Sequence, residues 1–174
     1  MRTVVILPLL LLAVACRSAP EPSASVVAQQ FYATTIAHKI SGAPSESQLA
    51  ALAPYLSDTL HALLAAARQR NEVEAARAPD EKPSFADGNL FSSLFEGPNA
   101  AEVLADSARG ALRVATVRLT YTGATPPVSW LDRVVLAKHD DRFVVDDIEY
   151  GGQWDFANKG RLRASLESVL SSPP

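Results

Sequence analysis

The chain has 174 residues, of which 16 are Lys or Arg and 19 are Asp or Glu, so its formal net charge is −3 at pH 7. This mildly acidic balance, without a basic stripe or a polybasic patch, excludes nucleic acid as an expected partner. The single cysteine excludes an internal disulfide and a site built from several thiolates. Burial of apolar side chains must therefore hold the fold together.

The first sixteen residues have the features of a secretory signal peptide that ends at a lipidation site. Arg2 precedes an apolar run over residues 4–14, which is too short to cross about 30 Å of hydrocarbon as a helix. The segment LAVAC, ending at Cys16, resembles the bacterial lipobox, in which the thiol receives a diacylglyceryl group and becomes the mature N-terminus. The alternative is ordinary cleavage after an Ala-x-Ala site, which would leave Cys16 as an odd reactive thiol.

These features divide the chain into three predicted segments. Residues 1–15 are a signal peptide, residues 16–25 are a flexible tether rich in Ser, Pro and Ala, and residues 26–172 form one globular domain. Arg17, in place of an Asp after the cysteine, resembles the pattern of lipoproteins sorted to the outer membrane. We expect a cell-envelope protein that faces the periplasm, is anchored by palmitate-bearing lipid on Cys16, and is held at the outer rather than the inner membrane.

The first half of the domain is predicted to contain three amphipathic helices. The first covers residues 26–40, where apolar side chains recur at spacings of four. Ser45 and Gln48 have the form of a capping box that begins the second, and Ser57 is the expected cap of the third. Residues 79–99 are punctuated by Pro and Gly but rich in Phe and Leu, which indicates an ordered loop with a helical turn packed on the body. The buried stripe expected on the first helix consists of Tyr32, Ile36 and Ile40, with Ala33 and Ala37 beside them.

The second half changes to the two-residue period of strands. Residues 111–122, 128–139 and 142–150 are predicted strands, residues 100–106 are a weaker fourth, and residues 160–170 are a final helix. The fold class is therefore α+β, with N-terminal helices packed on a curved, cone-like antiparallel sheet of three to four strands and a C-terminal helix. A small-molecule pocket is expected in the concavity of such a sheet.

Three stretches resemble a known group of proteins: DGNLFSSLFEG at 87–97, WLDRVVL at 130–136 and VVDDIEYGG at 144–152. They resemble uncharacterised bacterial domain-of-unknown-function proteins allied to the nuclear-transport-factor-2-like, or cystatin-like cone, superfamily. The resemblance extends over residues 26–170 and implies a cone-shaped fold. It implies little about function, because the superfamily contains enzymes, scaffolds and pocket binders. Its isomerases and dehydratases place an Asp with His or Tyr inside the cone, and no complete set of this kind maps onto this chain.

Asp146 is the strongest candidate for chemistry. Strand alternation predicts that it shares a face with Val144, Ile148 and Tyr150. If that face lines the cone, Asp146 would be a partly buried carboxylate that could bind a ligand or abstract a proton. The alternative, which we favour, is a structural carboxylate bonded to Arg133 or to a loop amide.

Three aromatic residues near strand ends, Trp130, Tyr150 and Trp154, are the other candidates. They could rim a ligand mouth or a partner surface, and the alternative is packing in the core or at a sheet edge. The three histidines are scattered without metal-ligand spacing, and no phosphate loop or nucleophile motif is present. We therefore expect no metal, no cofactor and no recognisable catalytic set.

Two functions remain open. The first is a non-enzymatic binding module at the envelope, which holds a small ligand or an envelope protein with Trp130, Asp146, Tyr150 and Trp154. The second is a small cone-fold enzyme that uses Asp146 as acid or base on an apolar small molecule, with Tyr150 or His139 assisting. The predicted anchor and the missing catalytic set favour the first.

Overall fold

A computed structural model describes residues 21–173, so the predicted signal peptide, Cys16 and the start of the tether lie outside the described residues. The domain is α+β, with three helices, a four-stranded sheet and a final helix in chain order. None of the helices within residues 21–173 combines the length and apolar character that a membrane span needs. The elements are α1 (Ala24–Ala37), α2 (Glu46–Leu52), a 3-10 turn (Ala53–Tyr55), α3 (Asp58–Arg77), β1 (Ala100–Arg109), β2 (Leu112–Tyr121), β3 (Val128–His139), β4 (Arg142–Glu149) and α4 (Leu162–Leu170).

Each of the first three helices begins after a serine that caps it. The hydroxyl groups of Ser23, Ser45 and Ser57 each accept a hydrogen bond from a backbone N–H in the first turn, where no intrahelical acceptor exists. The Gln48 side chain returns a bond to the backbone N–H of Ser45, so the predicted capping box is confirmed. Because Ser23 caps α1, the helix begins at Ala24, within the stretch assigned to the tether.

The buried stripe of α1 differs from the predicted one. The helix buries Val27, Phe31, Tyr32 and Thr35, whereas Ile36 is only partly buried. The two adjacent rings bury the largest apolar areas on the helix, so they determine which face turns inward. Thr35 can lie on that face because its hydroxyl donates to the Tyr32 carbonyl at 2.9 Å. The prediction is therefore confirmed at Tyr32 and at Ile40, which is buried just beyond the helix, and wrong at Ile36, Ala33 and Ala37.

The sheet is an antiparallel meander in the order β1-β2-β3-β4. The weak first strand is confirmed and extends to Arg109. The predicted hairpin between β3 and β4 is also confirmed, with Asp140 at φ +52° in its two-residue turn, as primed hairpin turns require. The fold therefore matches the predicted layout of helices first, then consecutive antiparallel strands, then a helix.

Both edges of the sheet are partly covered by other segments of the chain. At β1, the Gln29 side chain donates to the Ala101 carbonyl at 3.0 Å and accepts from the Val103 N–H at 3.1 Å. At β4, Val145 accepts a backbone bond from the N-cap of α3 at 2.9 Å, and Tyr150 donates one to Gly160 at 3.0 Å. Such contacts satisfy edge groups that would otherwise pair with another chain.

The main core lies between the helices and one face of the sheet. Phe31 of α1 packs edge-to-face on Tyr32 and on Phe91, with ring centroids 5.3 and 5.4 Å apart. These rings fill the side of the sheet on which we predicted a concavity. The loop after α3 is ordered, as predicted, because it buries Phe85, Phe91 and Leu94. Residues 79–99 form hydrogen-bonded turns, among them Pro83 to Ala86 and Leu94 to Gly97, together with bends, and they contain no helix longer than these turns.

Candidate functional site

An aspartate on the inward face of β3 forms the centre of the site. Asp132 is fully buried and lies between Trp130 and Val134 on that face. Its Oδ2 accepts hydrogen bonds from the Ser93 backbone N–H at 2.8 Å and from the Trp130 indole N–H at 3.0 Å. Its Oδ1 accepts from the Gly151 N–H at 2.8 Å and from the Ser93 hydroxyl. These donors satisfy both oxygens, as a buried carboxylate requires.

The same carboxylate joins the loop after α3 to the segment after β4. The Ser93 hydroxyl oxygen also accepts a bond from the Gly152 N–H at 2.9 Å. The side chain of Asn158 donates to two carbonyls of the loop, at 3.0 and 2.8 Å. Only glycine fits at position 151, because a Cβ there would overlap the Leu131 carbonyl oxygen. A polar network thus fixes both irregular segments to β3.

Three aromatic side chains, Trp130, Trp154 and Phe156, form a continuous line that we call the aromatic ridge. Trp130 and Trp154 meet edge-to-face with ring centroids 5.7 Å apart, and Trp154 and Phe156 are stacked at 6.2 Å with 14° between their planes. Trp130 is buried, Trp154 is partly buried, and Phe156 is 70% exposed. The ridge therefore runs from the bonded Asp132 to the solvent.

Tyr150 lies beside this network without forming part of the ridge. Its hydroxyl donates to the Leu90 carbonyl at 2.6 Å, and burial, together with the negative charge of Asp132, raises its pKa far above the ordinary value. Tyr32 behaves in the same way, with a bond to the Phe91 carbonyl at 2.8 Å and a pKa raised first by burial. Both phenols therefore remain protonated donors at neutral pH, and they hold the loop in place.

A β-bulge at Asp146 changes which side chains of β4 share a face. Val145 pairs with Leu136 and Ile148 pairs with Val134, so Val145 and Ile148 both face the core. Two residues separate them where regular alternation allows only one, and Asp146 is the extra residue. The predicted common face of Asp146 and Ile148 is therefore wrong, because a single inserted residue reverses the facing of every later residue in the strand.

The partners of Asp146 also differ from those expected. Its Oδ2 lies 2.6 Å from the guanidinium of Arg163 on α4, whereas Arg133 bonds Glu149. The hydroxyl of Tyr150 is engaged by a loop carbonyl. The arrangement that acid or base chemistry would need, an available carboxylate with a second polar group, is not formed around Asp146.

Three arginines converge on one glutamate at the sheet face opposite the helices, and we call them the arginine cluster: Arg109, Arg133 and Arg161. Glu149 Oε2 accepts from Arg133 Nε at 2.8 Å and from Arg109 Nη2 at 3.2 Å, while Oε1 contacts Arg109 Nη1 and Arg161 Nη2. The hydrogen bonds from Arg109, then those from Arg133 and the charge of Arg161, lower the pKa of Glu149 to about 2. Glu149 is thus ionised throughout the physiological range.

Asp147, the residue after the bulge, caps the N-terminus of α4 although it lies on the strand β4. Its Oδ1 accepts the backbone N–H of Arg163 at 3.0 Å and that of Ile148 at 2.8 Å. The N-cap residue of α4, Arg161, makes no side-chain capping bond of its own. A buried carboxylate on β4 therefore supplies the cap that the helix lacks locally.

Two clefts open on the surface away from these residues. One, of about 430 Å³, lies between the end of α3 and the following loop, around Glu74 and Pro83. The other, of about 300 Å³, lies between the end of α1 and the loop, around Lys39 and Glu96. Neither is lined by Trp130 or the other predicted site residues. Within residues 21–173, no group of three or more His, Cys, Asp or Glu side chains is arranged to hold a metal ion.

Sequence reasoning missed Asp132, Phe156 and the arginine cluster. A signal for Asp132 does exist, because it is an acidic residue at an inward position of the alternating strand β3. Phe156 lies in an irregular segment without periodicity, and the arginines come from parts of the chain that are distant in sequence. Neither of these could be found by pattern alone.

The comparisons with known proteins identify a relative. The chain is 30% identical over 142 residues to the "Uncharacterized lipoprotein YbjP" of Escherichia coli (strain K12), and the match covers 82% of this chain and 74% of that protein. No protein-family model and no solved structure matches. An identity of this size over most of both chains indicates common descent. The chain belongs to the same uncharacterised lipoprotein family as YbjP.

Proposed function

We propose that the chain is a lipoprotein of the cell envelope whose domain is a non-enzymatic binding module. In this proposal Cys16 carries a palmitate-bearing lipid, the tether leads to α1, and the domain faces the periplasm from the outer membrane. The lipobox-like segment and the name of the relative support the anchor. The helices followed by an antiparallel sheet also support the further proposal that the fold is a cone of the nuclear-transport-factor-2-like superfamily.

The exposed end of the aromatic ridge is the observation that carries the binding proposal. Phe156 leaves 70% of its surface in water although it is stacked on a fixed partner, Trp154. Complete burial of such a side chain stabilises a complex by about 1.5 to 3 kcal/mol. Because Trp154 is held by Trp130 and the network behind it, little conformational entropy is lost on binding. Aromatic side chains of this kind dominate the energetics of protein interfaces.

The predicted site residues take different parts in this proposal. Trp154 contacts the partner together with Phe156, and the partner contributes an apolar group or a planar ring. Trp130 and Tyr150 hold the segment in position through their bonds to Asp132 and to the loop. Asp146 is engaged by Arg163 and has a structural role.

Site-specific photo-crosslinking tests the binding surface. A benzophenone amino acid is placed at Phe156 in the anchored protein, and a matched control places it at Val73, an apolar residue of α3 that is 52% exposed. We expect a discrete adduct from position 156 that is missing from position 73, and its mass separates a protein from a small ligand. The same adducts from both positions, or none from either, would contradict the proposal.

Metabolic labelling tests the anchor. Radioactive palmitate should enter the wild-type protein and fail to enter Cys16→Ser, which should also leave the membrane fraction. Label that persists in Cys16→Ser, or a wild-type protein without label, would refute lipidation at this residue. The two experiments are independent, because the crosslink reports on the domain and the label on its N-terminus.

A further inference from the structure

The arginine cluster has more capacity for anions than its own glutamate uses. Arg109 comes from the end of β1, Arg133 from β3 and Arg161 from the segment before α4, yet all three contact Glu149. Their side chains remain 47, 54 and 49% exposed, whereas Glu149 is only 9% exposed. The carboxylate thus lies beneath three guanidinium groups that are open to water.

The charge of the cluster is opposite to that of the whole chain. Three guanidinium groups face two carboxylates, Glu149 and Asp147, so a net charge of +1 remains within a chain of net charge −3. The neighbouring pair of Asp146 and Arg163 is balanced. A concentration of positive charge against the overall balance raises the local concentration of anions.

The hydrogen-bonding groups also fit an anion with several oxygens. Arg133 donates a hydrogen bond from Nε to Glu149. Its two terminal nitrogens have no bonded acceptor within residues 21–173, so they are available to a second acceptor. Arg161 likewise keeps its Nε. Guanidinium groups bind phosphate oxygens through paired, charge-assisted bonds, which lysine cannot reproduce.

We propose that the arginine cluster is a binding site for a phosphate group, with Glu149 holding the three side chains in position and competing with the ligand. The phosphate group could belong to a lipid headgroup or to a free phosphate compound. The site is separate from the aromatic ridge, because Trp130 lies on the inward face of β3 and Arg133 on the outward face. The inference therefore does not depend on the proposed function.

Binding is measured on the purified full chain carrying Cys16→Ser, in neutral detergent micelles. One arm titrates inorganic phosphate against chloride of equal ionic strength, followed by NMR shifts of the arginine side chains. The other arm dopes the micelles with phosphatidylglycerol or, as its control, with diacylglycerol, which lacks a phosphate. Binding in the first arm points to a free phosphate compound, and binding in the second arm alone points to a lipid surface.

Variants decide whether the cluster is the site. Arg133→Gln should weaken phosphate binding about tenfold or more, because charge-assisted bonds are lost, and Arg133→Lys should recover only part of it. The matched control is Arg118→Gln, an exposed arginine of the same face that is 49% exposed and pairs with Glu102. We expect this control to bind like the wild type.

Glu149→Gln gives a readout that a purely structural cluster would not produce. Removing the internal carboxylate should tighten phosphate binding several-fold even if the melting temperature falls. The proposal is overturned if the wild type binds inorganic phosphate no better than chloride and also binds phosphatidylglycerol no better than its control lipid. It is also overturned if Arg133→Gln and Arg118→Gln lose binding equally, or if Glu149→Gln folds and binds more weakly.

Discussion

Replacing the buried carboxylate of Asp132 by an amide tests the network that supports the aromatic ridge. Asn has the same shape, but it offers one acceptor oxygen and one donor nitrogen where the carboxylate offers two acceptors. If the amide oxygen keeps Ser93 Oγ and Gly151 N–H, the amide nitrogen faces the donors of Ser93 and Trp130. In the reversed orientation the amide oxygen accepts from the Ser93 and Trp130 N–H groups, and the Gly151 N–H is left without an acceptor.

Either orientation of the new amide therefore leaves at least one buried donor unpaired. An unsatisfied buried group costs about 1 to 3 kcal/mol, and each lost bond to a charged group about 1.5 to 3 kcal/mol. Some of this cost is offset because an amide is less expensive to bury than a carboxylate. We expect Asp132→Asn to lower the free energy of unfolding by about 2 to 4 kcal/mol. For a domain of this size that corresponds to a decrease in Tm of about 5 to 15 °C.

Urea unfolding and thermal melting followed by tryptophan fluorescence measure this effect. The matched control is Asp141→Asn, at a hairpin carboxylate whose side chain is 93% exposed, and its Tm should equal that of the wild type. The fluorescence emission of Trp130 should also shift to longer wavelength in Asp132→Asn, because its indole N–H loses its hydrogen bond to the carboxylate. A Tm within about 2 °C of the wild type for Asp132→Asn would refute the reasoning.

Local contacts support three further predictions. The pKa of Glu149 in the folded state is about 2, below the ordinary 4.5, so its ion pairs stabilise the fold above about pH 4.5 and are lost as the pH falls toward 2. The difference in unfolding free energy between the wild type and Glu149→Gln should therefore shrink between pH 4.5 and pH 2. A difference that stays constant over this range would contradict the prediction. Gln29→Ala uncovers an edge of β1 and should promote concentration-dependent association in ultracentrifugation, whereas Gln30→Ala, at the next exposed residue of α1, should not. Gly151→Ala should lower the Tm more than Gly110→Ala, because a Cβ at 151 overlaps a carbonyl oxygen, whereas one at 110 meets nothing within 4 Å and adds only the strain of a φ of +60°. A decrease at 151 no larger than the one at 110 would argue against that close approach.

The sequence predicted correctly those features that depend on contacts between residues close together in the chain. The serine caps at Ser45 and Ser57 depend on contacts three residues away, and the structure forms both. From Val128 to Val134 the burial of β3 alternates, because successive side chains of a strand point to opposite faces. Asp132 was therefore visible in the pattern as an inward acid, although its partners were not.

The predictions failed where contacts with a segment distant in sequence determined which way a side chain faces. Regular alternation placed Asp146 with Ile148, and the bulge separated them because β4 must pair with β3 while its edge also contacts α3 and α4. The buried face of α1 is set by Phe31 and Tyr32, and Phe31 packs on Phe91, a loop residue 60 positions beyond it in the chain. Such contacts have no signature in a window of neighbouring residues.

The sequence by itself determined the α+β class, the caps, the order of the strands and the candidate lipid attachment at Cys16, because each depends on residues close together in the chain. Only the tertiary structure decided which polar groups meet: Asp132 with Ser93, and Glu149 with its arginines. Buried charges must find partners wherever the fold supplies them. Those partners come from elements well separated in the chain, so both the network behind the aromatic ridge and the arginine cluster arise only when the chain is folded.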